Sequence, residues 1–189
     1  MEWDNINSCA CFKLFFYTKM NEPYSILFQK MKSGAPVKDF LDNFGMVCTD
    51  FPLASPGDVK DLPKRDWADE DGEDTYIPDT LPLKAYDIKI SVCYNGTKGT
   101  AMDKLETLID YLTGADNYGS RLKIYNAHTR TGRQDVYLSK ISNTELWQGE
   151  NEEILEFDME LHVCDPKTRI VPSFRSGSTT VVENLVVRS

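Results

Sequence analysis

Histidine is scarce in this sequence, and so are the other patterns that usually build a catalytic or metal centre. The 189 residues include only two histidines, His128 and His162, and five cysteines. The cysteines form no C-x-x-C pair and no Cys/His cluster with the spacing of zinc ligands. A hydrolase or transferase needs a nucleophile, a base and an orienting group, and the base is usually histidine. Neither histidine lies in such a motif, so we expect a protein that is not an enzyme and that needs no cofactor or metal.

A long apolar run is also missing, and negative charge exceeds positive charge. The longest apolar run, 12–17, is interrupted by Lys13 and is far too short to cross a bilayer, so we predict no membrane span. The chain has 30 acidic and 21 basic side chains, a net charge of -9. Such a surface repels a phosphate backbone, which disfavours direct binding to nucleic acid. The same surface can line a conduit through which DNA passes without being bound.

The composition predicts a folded body with extensions at both ends. Hydrophobic residues make up 41% of the chain, enough for a substantial core, and no internal repeat is present. We predict an N-terminal extension at 1–20 that is dispensable, a single β-rich domain at 21–170, and a C-terminal strand or arm at 171–189. The apolar run 179–187 fits two alternatives. It is either an arm that adds a strand to a neighbouring subunit or the last strand of the same domain.

Period-two alternation predicts the main strands, and one helical stripe predicts the helix. Alternation at 86–94 and at 155–164 indicates two strands that each bury one face. Asn95-Gly96 is expected to end the first of them as a turn. Thr100 is the expected N-cap of a helix that ends at Gly114. The buried stripe of this helix is predicted to contain Met102, Leu105, Leu108, Ile109 and Leu112.

A hairpin completes the predicted fold. Strands at about 122–127 and 134–141 are expected to be joined by a tip that contains Thr131-Gly132. The predicted class is α+β, mainly β. We expect an antiparallel β-sandwich or barrel-like sheet with one amphipathic helix, at about 100–113, packed on it.

A long loop at 52–82, rich in proline and acidic residues, is the expected functional segment. Loops of this length in a compact domain are usually functional or mobile. Asp69, Asp71 and Gly72 resemble part of a calcium-binding loop. Alignment on Gly72, however, puts Trp67 at the first ligand position and Pro78 at the glutamate position, so a solvated loop is favoured. We predict that the loop is an interaction site, with the candidate residues Arg65, Trp67, Asp69, Asp71 and Tyr76.

The order of these elements resembles a known family. The elements follow in this order: a long loop with Arg65-Asp66-Trp67, a strand, an amphipathic helix, a hairpin with Tyr137-Leu138, and a strand closing at Asp165-Pro166. This order is similar to that of the N-terminal domain of bacteriophage distal tail proteins and of the related tail tube proteins. The resemblance covers about residues 37–170. It implies a virion or prophage tail component, assembled in the cytoplasm of the bacterial host, that forms a ring, usually a hexamer, around passing DNA. Its partners would be its own copies and other tail proteins.

Two functional hypotheses follow from the sequence. In the first, the chain is a structural, non-catalytic tail component that assembles with itself through its edge strands and the long loop. In the second, it is a monomeric or dimeric β-rich module whose acidic, aromatic loop recognises a basic protein partner. Compared with distal tail proteins, we expect this chain to lack a second C-terminal domain, and its length fits the single-domain tail tube proteins better.

Overall fold

The computed structural model describes residues 26–51, 57–69, 71–176 and 181–188 of the chain. Within these ranges the protein forms two helices and eleven strands. The helices are α1 (Phe40–Phe44) and α2 (Ala101–Thr113). The strands are β1 (Ile26–Lys30), β2 (Val37–Asp39), β3 (Met46–Asp50), β4 (Lys64–Arg65), β5 (Asp74–Thr75), β6 (Tyr86–Thr97), β7 (Leu122–Asn126), β8 (Thr131–Gln148), β9 (Glu152–Val163), β10 (Ile170–Phe174) and β11 (Val182–Val187). The predicted extension at 1–20 lies outside the described residues.

Seven strands form one antiparallel sheet in the order β2-β1-β7-β8-β9-β6-β3. Two further pairs, β10–β11 and β4–β5, form separate two-stranded sheets. The long strands β6, β8 and β9 are central, and β9 is paired along its whole length with β6, from Tyr86↔Val163 to Thr97↔Glu152. The predicted class, α+β and mainly β, is confirmed. The large sheet stays open and does not close into a barrel.

The core lies between one face of the large sheet and the two helices. Every second residue of β6 and β9 is buried there, as the alternation predicts. These residues are Ile88, Ile90, Val92, Tyr94, Leu155, Phe157, Met159, Leu161 and Val163. Each such side chain contributes about 2 kcal/mol of gross hydrophobic stabilisation before conformational entropy is subtracted. The fold is therefore held mainly by the β6–β9 pair and by the helices that cover it.

Helix α2 has the predicted position but a slightly different buried face. Leu105, Leu108 and Leu112 are buried as predicted. Met102 is 49% exposed, which contradicts its predicted place in the stripe, and Tyr111 is buried instead. The helix ends at Gly114 with φ 95°, a left-handed conformation that glycine adopts at little cost.

The first turn of α2 is capped by a side chain from β9 and not by a residue next to the helix in sequence. Thr100 is the N-cap residue as predicted, but its side chain makes no cap hydrogen bond. Its hydroxyl instead lies 2.7 Å from the Tyr94 hydroxyl and 2.6 Å from the Thr97 carbonyl oxygen. The Ala101 amide donates to the carboxylate of the buried Glu153, on β9. Hydrogen bonds from the amides of Ala101 and Gly99 keep the pKa of Glu153 below its usual value.

The predicted turn at Asn95-Gly96 is wrong, because β6 continues through both residues. Asn95 pairs with Ile154, and Gly96 pairs with Glu153. A Cβ atom at Gly96 would lie 2.1 Å from the hydroxyl oxygen of Tyr94. Glycine is therefore needed here to leave room for that aromatic side chain, and not to reverse the chain.

The predicted hairpin is present with a shifted tip. Thr131 and Gly132 begin β8 instead of forming the turn. Arg130, with φ 54°, occupies the left-handed position before that strand. Gly132 is required for contact, because a Cβ atom there would lie 2.5 Å from Cγ1 of Ile170. Because of this close contact, β10 packs beside the start of β8.

The C-terminal segment forms the β10–β11 hairpin within the chain. Ile170 and Leu185 contact Leu27 and Tyr125 on the sheet face opposite the main core. The buried Gln29 side chain accepts a hydrogen bond of 2.8 Å from the Leu185 amide. The division of the chain into a domain and an arm stays a prediction.

Helix α1 was not predicted. Asp39 begins it by accepting hydrogen bonds from the amides of Leu41 and Asp42, at 2.9 and 3.2 Å. Gly45, with φ 70°, ends it. Neither helix of the described residues is long and apolar enough to span a membrane.

Candidate functional site

The segment that precedes β6 extends away from the large sheet and then returns to it, and its outgoing and returning parts are hydrogen-bonded to each other. Val59 and Leu83 form an antiparallel bridge near its base. The Lys60 amide donates to the Pro82 carbonyl oxygen at 2.9 Å, and the Lys84 amide donates to the Asp58 carbonyl oxygen at 2.6 Å. We refer to residues 57–84 as the acidic projection. The predicted long loop is thus an ordered two-stranded excursion over much of its described length.

A second set of bonds holds the outer part of the acidic projection together. Strands β4 and β5 pair Lys64 with Thr75 and Arg65 with Asp74. The Tyr76 amide donates to the Pro63 carbonyl oxygen at 3.0 Å. Two ion pairs, Lys64–Glu73 at 2.9 Å and Lys84–Asp61 at 3.1 Å, lie on the surface. Exposed pairs of this kind add little stability, so the backbone bonds define the shape.

None of the described side chains of the acidic projection is buried. The segment has nine acidic and four basic residues. Tyr76 is 70% exposed and Ile77 is 71% exposed. Val59, Trp67 and Leu81 are also exposed apolar side chains of this segment. Several apolar side chains on one exposed element are typical of a surface that binds another molecule.

The structure brings some of the predicted site residues together. The Arg65 guanidinium carbon lies 5.8 Å from the centre of the Trp67 ring, within reach of a cation–π contact. Arg65 and Tyr76 both line a shallow depression of about 490 Å³, together with Pro63, Lys64, Asp74 and Thr75. Asp69 and Asp71 are exposed and do not line it. The prediction missed Ile77 and Leu81, whose signal is an apolar residue inside a strongly acidic segment.

The described part of the chain contains no group of three or more histidine, cysteine or acidic side chains that could hold a metal ion. Among the described residues, the acidic side chains near Asp69 therefore do not come close enough together to bind one metal ion.

His162 lies on the polar face of the large sheet. Its Nδ1 atom is 2.6 Å from an Asp87 carboxylate oxygen, and its ring centre is 5.2 Å from that of Tyr137. The side chain is 28% exposed. A carboxylate orients this imidazole, but the hydrogen bonds of the described residues link it to no hydroxyl or thiol.

Cys48 and His128 line a second depression, of about 190 Å³, beside Asn126 and Asp50. Burial, together with the nearby Asp50 carboxylate, raises the pKa of the Cys48 thiol to about 12. The thiol donates a hydrogen bond of 3.3 Å to the Asp50 carbonyl oxygen. Since the thiolate is the nucleophilic form, this raised pKa makes Cys48 a poor nucleophile near neutral pH.

Comparisons with solved structures show a likeness of fold. No family model and no curated protein sequence matches this chain. The crystal structure of the Dit protein of phage SPP1, described as a paradigm of the hub adsorption apparatus in phages that infect Gram-positive bacteria, is similar with a TM-score of 0.51. The two chains are 15% identical over 80% of this chain and 53% of that one. At this identity the likeness establishes a shared fold, and this chain spans about half the length of the Dit protein.

Proposed function

We propose that this protein is a structural, non-catalytic component of a bacteriophage or prophage tail that assembles with copies of itself. The observation that carries the proposal is the acidic projection, an ordered excursion that exposes apolar side chains and buries none of its described side chains. A segment that adds nothing to its own core, yet is ordered by backbone bonds, is suited to contact a neighbouring subunit. The likeness of fold to the Dit protein of a phage supports a place in the tail.

The assembly that we propose is a ring, hexameric or of another closed order, or a tube built from such rings. DNA passes through the lumen without specific binding, because a chain with net charge -9 repels the phosphate backbone. The partners are further copies of the chain and other tail proteins. Assembly takes place in the cytoplasm of the bacterial host, and the product belongs to the virion tail.

The test is light scattering coupled to size-exclusion chromatography over a concentration series, followed by negative-stain imaging of the large species. We expect the wild-type chain to form species larger than a monomer. The combined variant Trp67→Ala, Tyr76→Ala and Ile77→Ala should remain monomeric at the same concentrations, because it loses the exposed apolar side chains. Met102→Ala with Leu146→Ala is the matched control, since Met102 and Leu146 are 49% and 42% exposed elsewhere on the surface.

A wild-type chain that is monomeric at every concentration would contradict self-assembly. It would favour a second candidate function, a module that binds a basic protein partner. The excess of acidic residues around the exposed Trp67 and Tyr76 supports this candidate. Limited proteolysis separates the two: cleavage within 58–80 in dilute protein, with protection in concentrated protein, indicates self-assembly.

A further inference from the structure

Charge is unevenly distributed along the fold. The acidic projection has nine acidic and four basic residues. The β7–β8 turn with the first residues of β8, 127–133, and the C-terminal segment, 165–188, together have six basic and two acidic residues. One of those two acids, Asp165, is already bonded to the Gln134 side chain at 3.0 Å and to the amides of Lys167 and Thr168. The C-terminal region is therefore basic on a chain that is acidic as a whole.

The fold gathers these basic side chains around one hairpin. Arg169 forms an isolated antiparallel bridge with Arg133, which places the β7–β8 turn and Arg130 near the start of β10. The Arg188 amide donates to the Arg169 carbonyl oxygen at 2.9 Å, so both ends of the hairpin lie side by side. Arg175 lies past the far end of β10, about 20 Å from Arg169 at the usual rise of a strand. The arginines thus follow the length of the hairpin.

Most of these arginines are available to a partner. Arg133 is buried and donates to the Tyr86 hydroxyl at 3.0 Å. Arg130, Arg169, Arg175 and Arg188 are exposed. Within the described part of the chain, these four guanidinium groups make no ion pair. Unpaired arginines on an exposed hairpin favour recognition of a carboxylate-rich surface, because each guanidinium can bind a carboxylate through two parallel hydrogen bonds.

The same hairpin also exposes apolar side chains at both of its ends. Ile170 and Leu185 are buried. Val187, which pairs with Ile170 at one end, is 53% exposed, and Phe174 at the other end is 46% exposed. Val186, which pairs with Val171 of β10, is 40% exposed. We call the exposed side chains of Arg130, Arg169, Phe174, Arg175, Val186, Val187 and Arg188 the basic hairpin surface. It combines apolar area with positive charge, as the acidic projection combines apolar area with negative charge.

We propose that the acidic projection of one copy of the chain docks on the basic hairpin surface of the next copy. This inference rests on the proposed function and identifies the partner surface. The two surfaces match in both respects that matter at an interface, apolar area and opposite charge. Since they are different patches of the same chain, the contact is heterologous and repeats from copy to copy. A repeating contact of this kind closes into a ring or continues as a filament.

The test exchanges the charges of the two surfaces. The first variant carries Asp66→Lys, Asp69→Lys and Asp71→Lys, and the second carries Arg169→Glu, Arg175→Glu and Arg188→Glu. Each variant alone has two like-charged surfaces, so half-maximal assembly should need about a hundredfold higher concentration than for the wild type. In an equimolar mixture every contact again joins opposite charges, and assembly should return as an alternating array. Light scattering measures all samples, and circular dichroism with thermal unfolding verifies that each variant is folded.

Two matched controls reverse the same number of charges elsewhere. Glu106→Lys, Asp110→Lys and Glu150→Lys match the first variant, and Lys98→Glu, Lys104→Glu and Lys140→Glu match the second. All six positions are exposed, and both controls should assemble like the wild type.

The outcomes separate this inference from the proposed function. If the wild type assembles and the arginine variant assembles equally well, the basic hairpin surface is not the partner, while self-assembly stands. If both variants fail alone and their mixture also fails, the pairing of the two surfaces is overturned. A wild type that never assembles overturns the proposed function, and the inference with it.

Discussion

At the scale of single residues, polar side chains tie neighbouring strands of the sheet together. Asp158 is the clearest example, on the polar face of β9. Its carboxylate accepts hydrogen bonds from Ser91 at 2.6 Å and from Asn143 at 2.5 Å, and it pairs with Lys89 at 2.9 Å. The bonds from Ser91, then from Lys89 and Asn143, lower the pKa of Asp158 to about 2. One carboxylate thus connects the three strands β6, β8 and β9.

This pKa predicts how stability changes with acid. The folded pKa of Asp158 is below its unfolded value, so its contribution is fully present above about pH 4 and is lost as the pH falls towards 2. Asp158→Asn should lower the free energy of unfolding by about 1 kcal/mol at neutral pH. The effect is this small because solvent partly screens the charge of the carboxylate. Denaturant titrations at several pH values should show the gap between variant and wild type closing below about pH 3. A gap that stays constant with pH would contradict this assignment.

At the scale of elements, the acidic projection and the sheet are energetically separate. The projection buries no described side chain, so its removal takes no apolar group out of the core. We expect replacement of residues 61–81 by a short Gly/Ser turn to change the free energy of unfolding by less than about 1 kcal/mol. The same deletion should abolish assembly. Denaturant unfolding and light scattering on one sample measure both effects, and a large loss of stability would show that the projection supports the core.

Sequence periodicity was sufficient for elements whose signal is local. The alternation in β6 and β9 and the stripe in α2 each depend on one buried face, so those elements could be predicted. The turn at Asn95-Gly96 could not be judged locally, because the glycine is needed for the Tyr94 ring and the strand is held by β9. The hydrogen bond between the Ala101 amide and Glu153 at the start of α2 was not predicted for the same reason, since the two residues are 52 positions apart in the chain.

The candidate site was only partly predictable. Its acidic and proline-rich composition marked the segment, and Arg65 and Tyr76 do line one depression. Composition, however, contains no information on the bridge between Val59 and Leu83 that makes the segment an ordered excursion. Nor could it place Arg133 beside Arg169, because that proximity depends on how the C-terminal hairpin packs on β8.

At the scale of the whole molecule, the opposite charges of the acidic projection and the basic hairpin surface predict a response to salt. Exposed charges are screened beyond about 10 Å at 0.1 M ionic strength. Raising the salt from about 0.05 to about 0.5 M should therefore weaken self-assembly by about tenfold in concentration. Light scattering in a salt series measures the shift, with circular dichroism as the control for folding. Assembly that is unchanged or strengthened by salt would indicate a contact dominated by apolar area.

None of the described side chains of the acidic projection is buried, and this has a consequence for how such a protein can diversify. Mutations at its tip are almost invisible to selection for folding, because no described side chain there contributes to the core. Only the partner surface restrains them. Related chains can therefore acquire new binding preferences by drift in the projection alone, while the sheet and its helices remain an inherited scaffold.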